Sequence, residues 1–171
     1  MRRPPIVLLV IPFLAACASP TRVTEGAPEG LRSIVAAFSQ TVEVARRDQD
    51  VTWVHGWDGN DRIAAEGGGN LRGLCYEWQE LVYRSVGPVA ARVGWRASMI
   101  AVNEDWFSEH HAVMVHDRNL GDPHDVLARR STEAWVLDPW IHGEAEVYRL
   151  QDWLAIPWIV FAPARIEPDE P

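Results

Sequence analysis

The chain has 171 residues, 47% of them hydrophobic and nine of them Trp. That is enough for one domain with a substantial core, and too apolar for a disordered chain. Formal net charge is −8 at pH 7, with all 16 basic residues arginine, a balance that argues against nucleic acid as a partner.

Arg2 and Arg3 precede an apolar run over residues 6–16. The run is too short for a bilayer span, which takes roughly 20 residues, and has the form of a secretion signal. It ends in Leu14-Ala15-Ala16-Cys17, a tetrad that resembles the lipobox of bacterial lipoproteins. The resemblance implies that residues 1–16 are a signal peptide and that Cys17 is acylated. The domain is then exported and lipid-anchored to a bacterial membrane, facing the periplasm or the cell exterior. With Cys17 lipidated, Cys75 is the one thiol left and has no disulfide partner. A cysteine kept alone in an oxidising compartment is either buried and inert or kept for its reactivity.

Residues 17–30, rich in Ser, Pro, Thr and Gly, read as a flexible tether. Leu31, Ile34, Val35, Phe38, Val42 and Ala45 then recur at helical steps and predict a packing helix. Residues 51–54 suggest a short strand. Trp57-Asp58-Gly59-Asn60-Asp61 reads as a turn, and its carboxylates lack the spacing of an EF-hand. Gly67-Gly68-Gly69-Asn70 calls for unusual backbone conformations. A second helix is expected from about Cys75, with Cys75, Trp78, Leu81 and Val82 on one face and Gly87-Pro88 interrupting it. Strands are expected over residues 95–102, 111–115 and 134–138, with a polar link over 117–132 and a further strand over 144–148. Residues 163–171 read as an acidic, frayed tail. The fold expected for residues 31–162 is α+β, a cysteine-bearing helix packed on an antiparallel sheet.

Cys75 follows a glycine-rich loop at an expected helix start, where unpaired amides and the helix dipole favour a thiolate and can hold an oxyanion. His110 and His111 stand at the mouth of a strand, where an imidazole can serve as base. Asp138 closes an apolar strand, an odd place for a carboxylate without a partner, and an Asp behind an imidazole fixes its tautomer. His110, His111 and His116 match no zinc spacing, and no metal or cofactor is expected.

Gly73-Leu74-Cys75 before a helix, His111-Ala112-Val113 opening a strand and Trp135-Val136-Leu137-Asp138-Pro139 on the next together resemble the transglutaminase-like superfamily of the papain-like clan. The likeness covers roughly residues 70–140. It implies a papain-like core with Cys75 as nucleophile, His111 as base and Asp138 as its orienter. His111 is preferred to His110 because it directly precedes Ala112-Val113; strand alternation puts the two rings on opposite faces, so only one can serve. The second oxyanion donor is not obvious, with Asn70 and Trp57 as candidates. The implied activity is hydrolysis or acyl transfer at an amide through a thioester. The implied substrates are a peptide, a protein side-chain amide or a peptidoglycan peptide. The alternative is a non-enzymatic envelope lipoprotein that uses the same fold as a binding module.

Overall fold

The computed structural model describes residues 20–21, 27–157 and 162–168. Residues 1–16, expected to be a secretion signal, and Cys17 lie outside them. Among the described residues no helix is long and apolar enough to cross a membrane.

Helix α1 (Glu29–Arg46) buries Leu31, Ile34, Phe38, Val42 and Ala45, the stripe its periodicity announces. Strand β1 (Thr52–Trp53) pairs in parallel with β2 (Leu71–Arg72), and α2 (Gly56–Glu66) lies between them. The turn expected at residues 57–61 is therefore helical. Its one buried residue is Gly59, which fits against Val54 where a Cβ would come within 3.1 Å, so the segment carries almost no apolar stripe for a periodicity to show. Gly67 ends α2 in the left-handed conformation.

Helix α3 (Cys75–Arg92) runs straight through Gly87-Pro88, against the interruption expected there. Pro88 forfeits one backbone hydrogen bond, while Val86 and Ala90 on either side of it are fully buried and hold the last turns to the core. Strands β3 (Trp95–Val102), β4 (His110–Asp117), β5 (Trp135–Leu137), β6 (Val147–Arg149) and β7 (Arg165–Ile166) form one antiparallel sheet in the order β6-β5-β4-β3-β7. The protein is thus α+β. The polar link carries a short helix, α4 (Pro123–Ala128), capped by Asp122 and pinned by Val126 and Leu127. Helix α5 (Leu150–Trp153) follows β6 directly.

Two details of the domain boundaries change. The tether is not wholly detached, since the Thr21 N–H donates to the Val147 carbonyl at 2.6 Å. Nor is the acidic tail frayed over residues 165–167. Ile166 pairs with Ile100, and the Glu167 N–H bonds the Met99 carbonyl, because the β3 edge offers main-chain partners that composition does not reveal.

The sheet separates two apolar layers. Val113, Val115, Leu137 and Val147 face α1 and α3; Ile100, Ala112, Met114, Val136 and Tyr148 face α4 and α5. Strand β4 is central and buried on both faces, so residues at its mouth are anchored to the core.

Candidate functional site

The start of α3 is held from several directions. Gly73 has φ +132°, and a Cβ there would lie 2.0 Å from the Val54 carbonyl oxygen; only glycine allows the chain to pass. One oxygen of Glu77 accepts the N–H groups of Gly73 and Leu74 at 2.7 and 3.0 Å. Trp78 Nε1 donates to the Val54 carbonyl at 2.9 Å. Cys75 is therefore the first residue of α3, as expected, and its position is fixed by its neighbours.

Its ionisation is not as expected. Cys75 is only 9% exposed. Burial pushes its thiol up to about 12, with the charges of Asp138 and Glu109 adding to the rise; the N–H groups of His111 and Tyr76 oppose it and lose. Desolvation of the thiolate outweighs the helix-terminal amides. The sulfur lies 3.9 Å from the Glu109 carbonyl oxygen, against the peptide units that flank His110.

The two histidines are sorted by the sheet. The β4–β5 register sets Val113 opposite Leu137. One step on, Asp138 comes opposite Ala112, and the next β4 residue on that face is His110. The partner of Asp138 is accordingly His110, Nε2 to Oδ2 at 2.7 Å with both side chains fully buried, and not His111. Asp138 Oδ2 also accepts Trp153 Nε1 at 2.8 Å, and Oδ1 accepts the Trp140 N–H at 3.1 Å. The His110 ring lies between Trp140 and Trp153, at centroid distances of 4.8 and 5.6 Å.

His111 belongs to another cluster. Its Nε2 meets Glu109 Oε1 at 2.7 Å and its Nδ1 meets Glu167 Oε1 at 3.2 Å. Burial alone would lower the His111 pKa, but the bonds to Glu167 and Glu109 outweigh it and raise it. Gln79, one turn after Cys75, donates to the Ile100 and Ala112 carbonyls and to Glu167, tying α3, the sheet and the C-terminal strand together. Glu167 sits in a segment whose composition reads as solvent-exposed, and no local signal announces its partners.

Asn70 is exposed beside β2, and its carbonyl accepts the Thr52 N–H. No hydrogen bond joins its side chain to Cys75 among the described residues. Trp57 packs edge-on to Trp140 at 5.4 Å, and Trp140 in turn tilts onto His110, so Trp57 belongs to the site's border. His116 stands six residues along β4 from His110, roughly 20 Å away at strand rise. Among the described residues no group of three His, Cys, Asp or Glu side chains is arranged to hold a metal ion.

What the fold and site define is an α+β domain with a buried thiol at a helix start, set against the mouth of a strand whose first histidine is held by a buried aspartate. Compared with models of protein families, with curated proteins and with solved structures, the chain finds no match.

Proposed function

We propose that the protein is a cysteine hydrolase or acyltransferase acting on an amide, with Cys75 as nucleophile, His110 as base and Asp138 as the residue that orients it. One observation carries this reading. The sulfur of Cys75 rests against the backbone on both sides of His110, and the His110 ring is locked by a carboxylate with three donors. His110 replaces the His111 of the motif-based expectation because Asp138 is bonded to it. The papain-like, transglutaminase-like core remains part of the proposal, as does the anchoring of the domain to a membrane through Cys17.

The resting thiol is neutral, so the proton leaves as the substrate is attacked. Asp138 occupies Nε2 of His110 and assigns the exchange to Nδ1. The C–S bond forms as the Sγ proton passes to His110, and the oxyanion that develops faces the Cys75 N–H, which has no intrahelical acceptor. The C–N bond then breaks, with His110 returning the proton to the departing amine. Water, deprotonated by His110, resolves the thioester to a carboxylic acid and the free thiol; an amine in its place gives transfer.

The burial of Cys75 favours the second reading, a binding module with an inert thiol. Intact-mass measurement after incubation with a peptide p-nitrophenyl ester separates the two. Enzyme activity requires an acyl adduct on Cys75 that is lost in Cys75→Ala and His110→Ala and kept in His111→Ala. No adduct on the parent chain, or an adduct that survives His110→Ala unchanged, defeats the proposal.

A further inference from the structure

Among the described residues the exposed large hydrophobic side chains are Val44, Trp57, Tyr76, Trp106 and Phe107. Tyr76 and Trp57 stand near Cys75 and His110, and Trp106 and Phe107 lie in the loop that leads into His110. Tyr76, 52% exposed, follows the thiol and stands edge-on to His111. Trp57, 47% exposed, leans on the Trp140 that covers His110. Trp106 and Phe107, 60% and 84% exposed, project from the β3–β4 loop, whose last residue, Glu109, puts its carbonyl against the sulfur.

This loop is built to hold its aromatics out. Asn103 and Asp105 both have positive φ, 55° and 61°, a conformation that Asn and Asp adopt more readily than other residues with a side chain. The loop is held by the buried Asn103, which bonds the Ser108 carbonyl and the Ala162 N–H, and by Glu109, which accepts the Asp105 N–H. A hydrogen-bonded loop that keeps a Trp and a Phe exposed next to the proposed site marks a contact surface.

Charge selects the partner. Asp58 follows Trp57 and Asp61 lies one helical turn beyond it, Asp105 precedes Trp106, and all three are exposed. Arg62 on the same helix is engaged with Glu66, and on neighbouring strands Arg72 pairs with Glu77 and Arg165 with Glu104. Exposed aromatic faces beside uncompensated carboxylates attract cations carried on an apolar stem. They repel an anionic lipid surface.

We infer that this rim is the substrate-binding surface of the site and that it takes a cationic peptide, one with Lys or Arg beside an aromatic or aliphatic residue near the amide attacked. The inference rests on Cys75 as nucleophile for its role in catalysis, but binding can be measured apart from turnover. The experiment is calorimetric titration of the full Cys75→Ala chain with two blocked octapeptides that differ only in Lys or Glu flanking a central Phe. The Lys peptide is expected to bind on the order of tenfold tighter at low salt, the preference shrinking at high salt. Trp57→Ala and Phe107→Ala are expected to weaken both peptides, and Asp105→Asn the Lys peptide alone. Equal affinity for the two peptides overturns the inference, as does binding indifferent to all three substitutions. Co-sedimentation with phosphatidylcholine–phosphatidylglycerol vesicles that Phe107→Ala abolishes, without peptide binding, would assign the loop to the membrane and overturn it too. Selective Lys-peptide binding in a protein that forms no acyl adduct upholds the rim and defeats the nucleophile; an adduct without charge preference does the reverse.

Discussion

His110 and His111 are adjacent in the chain, and each meets carboxylate, yet strand alternation gives them different surroundings. His110 faces one fully buried aspartate between two tryptophans. His111 faces two glutamates that keep contact with water, one from its own strand mouth and one from the C-terminal strand. The first arrangement fixes a ring in a dry place, the setting that the proposed proton transfer would use. The second is an ion-pair cluster that ties a loop and an edge strand to the sheet. The same pair of side-chain types thus does positioning on one face and fastening on the other, and the difference lies in burial and carboxylate number.

The largest effect that can break this comparison is on turnover. His110→Ala should lower kcat/KM for an activated ester by about 10³-fold or more, and His111→Ala by less than about tenfold; the reverse order would return the base to His111. Next in size is stability. Asp138→Ala removes the buried acceptor that His110, Trp153 and Trp140 share and should cost about 3–5 kcal/mol in urea unfolding. Gly73→Ala forces a Cβ onto the Val54 carbonyl at positive φ and should cost about 3 kcal/mol, with loss of the Cys75 geometry. The raised thiol predicts that iodoacetamide labelling of Cys75 climbs about tenfold per pH unit from pH 7 to 9 without a plateau. A plateau near neutrality would show a preformed thiolate.

The smallest effect concerns the His111 cluster. The folded pKa of His111 lies above its ordinary 6.5, so its contribution is complete below about that pH and is lost as pH rises through the folded value. Glu109 and Glu167 lie below their ordinary 4.5, so theirs is present above that and lost as pH falls through the folded values. Stability from the cluster should be greatest between these limits. Glu167→Gln should flatten the alkaline fall in unfolding free energy by about 1 kcal/mol or less, since Glu109, still in contact with His111, is screened by water.

Much of this was legible in the residues. The apolar steps of α1, the full extent of β3 and the helix start at Cys75 follow from local pattern, because each is decided by side chains within a few positions. Helix α2 was not legible, since its stripe is nearly absent, and the passage of α3 through Pro88 depends on the core around Val86 and Ala90. The glutamate that reaches His111 from residue 167 is joined to it only by the pairing of β7 on β3.

The site shows the same division. Residue types and order single out Cys75, a histidine at the mouth of β4 and Asp138, because a cysteine at a helix start behind a glycine-rich loop and a carboxylate ending an apolar strand are unusual wherever they fold. Which histidine meets Asp138 was settled by the β4–β5 register, and the charge state of Cys75 by how much of the molecule closes over it. Register and burial are sums over distant contacts, so the chain alone names the candidates and the tertiary structure assigns their partners.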